Sequence, residues 1–302
     1  MDAAGAVQHD LGLLPPVTGA NARLHLDAGL QEKAYEALRT GMEAAGTRRG
    51  TVIALDPVTG AVRALVSAPS FPHSDVASGT DSRTISRFFE DAYSPLLNRA
   101  TQGQYVPGST FKLAVSAGAL EEGVATLTSR VESSGGIRVG SWFFPDWKTG
   151  GHGSTTLTKA LAESVNTYFY TIGGGVGTTQ GLGIERMTAW ARRLGFGEPT
   201  GIDLPGEASG FLPSPAWKEH KKKEAWYIGD TYHAAIGQGD VLVTPVQLGV
   251  ATAAIANGGT VHAPRLLDRI ENPDGTVRER IPPAIRAERV LRRESATANL
   301  QG

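Results

Sequence analysis

Strand chemistry in this sequence is concentrated in one place. Residues 50–67 read GTVIAL, DPVTG, AVRALVS: two runs rich in β-formers around a segment of turn chemistry. They predict a β-hairpin, so the fold holds at least one antiparallel pair against which helices must pack. The flanks carry helical periodicity or Gly/Pro punctuation. Asp27 can cap a helix in which Leu30, Ala34, Leu38 and Met42 recur every four residues, with Gly46 as its stop. A second helix is predicted from near Ser109 to Glu122, ended by Gly123. LTKALAESVNTYFYTIG reads as helix, a break near Asn166, then helix. Residues 185–197 give another helix, stopped by Gly195 and Gly197. In TPVQLGVATAAIANGG, Thr244 caps, Pro245 takes the first position and Asn257-Gly258 closes. NPDG at 272–275 predicts one more hairpin. Residues 1–20 read as an irregular lead-in, 68–103 as irregular with short helices, 124–156 as Gly- and Ser-rich, and 198–235 as Pro- and Gly-rich loop.

Composition excludes several classes. With 302 residues, 40% hydrophobic and 20% charged, the chain can bury a substantial core. A net charge of −1 lacks the basic excess of a nucleic-acid binder. The absence of cysteine rules out disulfides, thiol nucleophiles and thiolate metal sites. No apolar run reaches about 18 residues, and MDAAGAVQHD has no signal-peptide pattern. The chain reads as soluble, with no anchor of its own.

VPGSTFKLAV (106–115) carries the chemistry. Pro107-Gly108 breaks the chain and a helix begins at Ser109. A serine there sits beside unpaired backbone N–H groups, and the positive end of the helix dipole favours developing negative charge. Lys112 lies on the same helix face. A serine hydroxyl needs a base to become a nucleophile, and a lysine made less basic by burial can serve. Ser-x-x-Lys also arises as a plain helix cap beside a solvated lysine. SVNTYFY (164–170) adds Ser164 and Asn166 at the helix break, placed to turn toward one amine such as Lys112.

PGSTFK, GGHG, SVNTYFY, TGIDLPGE, WYIGDTYH, IGQGDVLVTPVQL and IANGG occur in this order. In that ordered set, and in LHLDAGLQEKAYEAL followed by GTVIALDPVTGAVRALVSAPSF, the chain resembles the class B penicillin-binding proteins, most of all the penicillin-binding protein 2 type. The resemblance covers residues 21–302. It implies an α+β transpeptidase domain of the serine β-lactamase type, with an antiparallel sheet flanked by helices. It implies a D,D-transpeptidase whose Ser109 attacks the D-Ala-D-Ala bond of a peptidoglycan stem peptide, with Lys112 as general base. Ser164 and Asn166 organise Lys112, and Ser164 relays a proton to the leaving amine. β-Lactams are expected to acylate Ser109, and no cofactor is required. The resemblance also implies an extracytoplasmic place at the bacterial membrane and a membrane glycosyltransferase partner of the elongation machinery. A serine β-lactamase and a non-catalytic β-lactam sensor or scaffold are the rival readings.

Members of that family carry a Lys-Thr-Gly strand after Ser-x-Asn. Lys148-Thr149-Gly150 precedes Ser164, within DWKTGGHG, and reads as a chance match. Downstream of Asn166 no Lys-Thr-Gly or Lys-Ser-Gly occurs. The expectation is therefore an incomplete domain, with the last strands missing and weak acylation. Losing one oxyanion donor costs roughly 2.7–4 kcal/mol of transition-state stabilisation. Asp146 and His152 are residue types that suit zinc. Two ligands without cysteine make a thin case, and hydrogen bonding within the loop is the alternative. Trp142 to Trp147 could line a substrate groove but read first as packing under a loop, KEHKKK (218–223) reads as a solvated loop, and His233 as a structural polar contact.

Overall fold

The structure, a computed structural model, describes residues 17–72, 74, 76 and 82–302. Most of the expected lead-in lies outside the described residues. Contacts divide the chain into two units. In one, strand Asn21–Leu24 pairs antiparallel with Leu267–Glu271, which pairs in turn with Val277–Arg280 across the NPDG turn. Arg23 and Arg269 both donate to the Glu271 carboxylate at 2.8 Å.

The other unit holds residues 25–266 and 283–302. The predicted hairpin is present: Gly50–Leu55 pairs antiparallel with Val62–Ala68, with Val52 opposite Val66 and Ala54 opposite Ala64. Helix Ala28–Ala44, capped by Asp27 Oδ1 accepting from Leu30 N at 2.9 Å, lies against Val62–Ala68. Gln31 on this helix satisfies the strand's outer edge. Its Nε2 donates to Leu65 O at 2.7 Å, and its Oε1 accepts from Leu65 N at 2.8 Å. On the inner side, helix Pro245–Ala256 crosses Gly50–Leu55 so closely that a Cβ on Gly249 would come within 2.9 Å of Leu55 Cδ1. Among the described residues Gly50–Leu55 pairs with Val62–Ala68 alone.

Helix Lys112–Glu121 runs through the core. Its sequence, KLAVSAGALE, is small and apolar all round, so it can be enclosed on every side. Helix Gly183–Arg193 packs onto it at Gly118, where a Cβ would stand 2.9 Å from Trp190 Cγ. Helix Asn166–Gly174 brings Tyr168 and Phe169, both 0% exposed, into the same core as Phe111, Met187 and Tyr232. Helix Arg293–Leu300 closes another side, with Asn299 bonded to Ser116 and Arg292 paired to Glu121 at 3.1 Å.

Two regions differ from the sequence reading. Residues 124–156 contain two short antiparallel pairs, Val131–Ser133 with Gly153–Thr155 and Gly136–Val139 with Trp142–Pro145. Residues 198–235 contain helices Pro215–Lys222 and Ile228–Ala235. KEHKKK is therefore largely helical, and Lys218 is a buried residue whose Nζ donates to Asp230 at 2.7 Å. Each helix is only eight residues long, so local propensity gives a weak signal and tertiary pairing supplies the rest. The fold is a mixed α+β arrangement with several small antiparallel sheets.

Candidate active site

Pro107 and Gly108 turn the chain into a 3₁₀ turn, Gly108–Phe111, that leads directly into helix Lys112–Glu121. Gly108 has φ +57° and its N–H donates to Gly237 O at 2.8 Å. Gly237 fits because it lacks a side chain: a Cβ there would lie 2.1 Å from Gly108 O. The IGQG segment thus braces the turn that carries Ser109. Ser109 is exposed, whereas Lys112 is 1% exposed.

Ser164 and Asn166 arrive from the break between helices Leu157–Ala162 and Asn166–Gly174. The break is sharp. Ser164 holds φ +54°, a left-handed conformation that costs an ordinary residue about 1–2 kcal/mol. That turn aims both side chains at the lysine. Lys112 Nζ donates to Ser164 O at 2.9 Å, Ser164 Oγ at 2.9 Å and Asn166 Oδ1 at 2.7 Å. It also lies 5.2 Å from the centre of the Phe169 ring. Ser164 Oγ reaches Ser109 Oγ at 2.8 Å. The structure brings all four expected residues together, and the path from Ser109 to Lys112 runs through Ser164. Burial pushes the Lys112 ammonium down to about 8, partly opposed by the charge of Asp146. An amine near that value is appreciably neutral at physiological pH, the state in which it can accept a proton.

Asp146 and His152 sit beside this cluster, tied into it by hydrogen bonds. Asp146 Oδ1 accepts from Trp147 N at 3.0 Å and Asn166 N at 3.0 Å, and Oδ2 from Thr167 N and Ser133 Oγ, both at 3.1 Å. Burial raises the carboxyl pKa, but these donors outweigh it and hold Asp146 below the usual carboxylate range. His152 Nδ1 is 2.7 Å from Glu163 Oε2, and its Nε2 is 3.8 Å from Asp146 Oδ1. Both carboxylate oxygens are already doubly occupied. Among the described residues no group of three or more His, Asp or Glu stands ready for an ion, and the buried His152 Nε2 has no hydrogen-bond partner. Asp146 caps the Asn166 helix from 20 positions upstream, a role that local sequence patterns do not announce.

Lys148-Thr149-Gly150 forms an exposed turn closed by Gly151 N donating to Lys148 O at 3.0 Å, and lies on no strand. Trp142, Phe143 and Trp147 are exposed by 75%, 52% and 64%, contrary to the expected packing under a loop. Trp147 Nε1 donates to Glu163 O at 3.0 Å, next to Ser164. His233 is also exposed and meets the Phe144 ring edge-on. No helix among the described residues is long and apolar enough to cross a membrane.

Known proteins resemble this chain in sequence and fold. The chain is 39% identical over 268 residues to the peptidoglycan D,D-transpeptidase MrdA of Acinetobacter baumannii, covering 88% of this chain and 38% of that protein. It is 38% identical over 270 residues to MrdA of Escherichia coli K12, covering 87% and 40%. The chain spans about two-fifths of the length of these curated relatives. Among solved structures it matches Pseudomonas aeruginosa PBP2 in complex with WCK 5153 at TM-score 0.78 and 35% identity, over 94% of this chain and 61% of that one. It matches the complex of Helicobacter pylori PBP2 with MreC at TM-score 0.78 and 30% identity, over 99% and 51%. A penicillin G acyl-enzyme of Mycobacterium tuberculosis penicillin-binding protein A matches at TM-score 0.78 and 26% identity, over 92% and 61%. The family model for the penicillin binding protein transpeptidase domain spans residues 50–298, the stretch that holds the hairpin, the Ser109 helix and the Ser164 turn, and the chain belongs to that family.

Proposed function

We propose that this chain is the serine acyl-transfer part of a peptidoglycan D,D-transpeptidase of the penicillin-binding protein 2 type. Ser109 Oγ attacks the carbonyl of the D-Ala-D-Ala bond in a stem peptide. Its proton passes through Ser164 Oγ to neutral Lys112 Nζ. The Ser109 N–H, at the start of the helical turn, receives the oxyanion. Ser164 then hands the proton to the departing D-Ala amine, and an amine from a second stem resolves the acyl-enzyme. Asn166 keeps Lys112 in place. The observation that carries this reading is the unbroken hydrogen-bonded path Ser109–Ser164–Lys112, with spacings of 2.8 and 2.9 Å.

Residues 21–302 belong to the transpeptidase domain, whose strands bearing Lys-Thr-Gly or Lys-Ser-Gly are not among them. The open edge of Gly50–Leu55 is where those strands pair into one antiparallel sheet flanked by helices. The Ser109 N–H is one oxyanion donor, and a second N–H from such a strand stabilises the same charge. β-Lactams acylate Ser109 as the stem peptide does, a reading supported by the penicillin G adduct of the Mycobacterium tuberculosis relative. The full protein works on the extracytoplasmic face of the bacterial membrane, with a glycosyltransferase of the elongation machinery. Its relatives in complex with MreC and in a peptidoglycan synthase complex support that setting.

The test is incubation with a fluorescent penicillin, read by intact mass, with Ser109→Ala alongside. A stable adduct that the substitution removes is the expected result. Rapid turnover of the penicillin would favour a β-lactamase. No adduct from folded protein, in this chain and in one extended at its C-terminus, would overturn the reading.

A further inference from the structure

The turn that carries Ser164 and Asn166 is short, left-handed at Ser164 and exposed on one flank, yet it must hold the Lys112 amine to within a fraction of an ångström. What holds the turn comes from one loop, residues 146–152. Asp146 takes the two N–H groups on its far side, those of Asn166 and Thr167, at 3.0 and 3.1 Å. These are first-turn donors with no partner inside their own helix. On the near side, His152 Nδ1 engages the Glu163 carboxylate at 2.7 Å, and Trp147 Nε1 donates to Glu163 O at 3.0 Å. Lys159 Nζ ties the loop back by donating to His152 O at 2.6 Å. Ser133 joins the other end, its Oγ donating to Asp146 Oδ2 and accepting from His152 N at 3.2 Å. The two gripping side chains stand together, with His152 and Asp146 exposed by 1% and 0%.

We propose that residues 146–152 form a metal-free polar clamp that fixes the Ser164–Asn166 turn from both sides, with Asp146, His152 and Glu163 as positioning residues of the acylation site. The inference rests on the acyl-transfer reading. It follows from a count of contacts at Lys112: three of its hydrogen bonds go to Ser164 and Asn166, so a shift of that turn displaces the amine from the serine path. Burial of the Asp146 carboxylate keeps water from competing for the Asn166 and Thr167 amides.

The test compares Glu163→Ala, Glu163→Gln and Asp146→Ala with the parent chain in two readouts. One is the second-order rate constant for acylation by a fluorescent penicillin. The other is amide hydrogen exchange in segment 163–167, with helix 245–256 as internal reference. A misplacement approaching 1 Å near reacting groups costs about 100-fold in rate, so Asp146→Ala is expected to approach that loss and Glu163→Ala to lose about 3–10-fold. Both are expected to speed exchange in segment 163–167 by about tenfold or more, and to leave 245–256 unchanged, as local opening does. Glu163→Gln keeps an acceptor for the His152 Nδ1–H and is expected to restore both readouts to about twofold of the parent. If Asp146→Ala does not fold, the Glu163 pair decides. Unchanged exchange in Glu163→Ala, or a Gln variant as impaired as the Ala variant, overturns the clamp. A loss of protection in 163–167 on treating the parent with EDTA shows a bound metal and also overturns it. A parent chain that takes up no penicillin counts against the acyl-transfer reading, and the exchange readout still decides the clamp.

Discussion

The two halves of the site are held by different physics. The Ser109–Lys112 half sits on a helix enclosed by side chains of its neighbours, with Phe111, Ala114, Val115 and Ala117 no more than 2% exposed. It stays in place by close packing, which is dense and tolerates little change of volume. The Ser164–Asn166 half sits on a strained turn gripped by directional polar contacts from Asp146, His152 and Trp147. Packing errors inside helix Lys112–Glu121 should be felt as lost stability, whereas displacement of the Ser109 turn or broken contacts at the Ser164 turn should be felt as lost rate. A site assembled from one packed and one hydrogen-bonded half can therefore be impaired in two separable ways.

Four changes sharpen or break that contrast. The largest effect is expected of Lys112→Met, which keeps the bulk in the packed half and removes the base. General-base catalysis is worth about 10²–10⁴-fold, and acylation by penicillin should fall by that amount in folded protein. Gly237→Ala comes next. Its methyl meets Gly108 O at 2.1 Å, and displacement of the Ser109 turn should cost roughly 100-fold in acylation rate. A pH profile of acylation is third. The rate should rise from pH 6 and level off above a midpoint of about 8, because Lys112 must be neutral to act. Asp146→Asn removes the charge that raises the Lys112 value, so its midpoint should fall. The same lowered value has a stability consequence. Between about 8 and the ordinary 10.5 the unfolded chain holds a proton that the native lysine has released. Stability should rise with pH across that window, as read from urea midpoints. The smallest effect is expected of Gly118→Ala, whose added methyl presses on Trp190 at 2.9 Å. Overpacking of about 1–3 kcal/mol, offset by about 1 kcal/mol of helix propensity, leaves a net loss near 1 kcal/mol with the acylation midpoint unmoved. A Gly118→Ala that shifted the midpoint would break the separation of the two halves.

The packed half was legible in the sequence and much of the hydrogen-bonded half was not. Ser109 and Lys112 sit three positions apart on one helix with Pro107-Gly108 before them, so a local pattern carries them. Ser164 and Asn166 were legible as a helix break, which requires only the mismatch of polar residues with the surrounding periodicity. Asp146 is visible as a carboxylate in DWKTGGHG, but its helix-capping role is not, because its partners Asn166 and Thr167 lie 20 and 21 positions away. Glu163 carried no signal, since its role comes from His152 on a separate strand-turn. The short strands of 131–155 were missed because glycine and serine occupy positions where β-branched residues usually mark a strand. Helices 215–222 and 228–235 were missed because the Lys218–Asp230 pair that ties them is a tertiary contact.

The hairpin offers one last contrast, seen in Gln31. A primary amide can turn one of its N–H groups and its C=O toward a strand side by side, and Gln31 sets both against Leu65. It works as a chain terminator does in polymer growth: the outer rim of Val62–Ala68 cannot be elongated. Gly50–Leu55 has no such stopper among the described residues. Any additional strand, from this polypeptide or another, can enlist only on that side, so the sheet has a built-in direction of growth. Asp27 N, donating to Arg63 O at 2.9 Å, blocks the same rim two residues earlier, so Gln31→Ala would bare Leu65 alone, visible as faster amide exchange at that residue and no change in self-association.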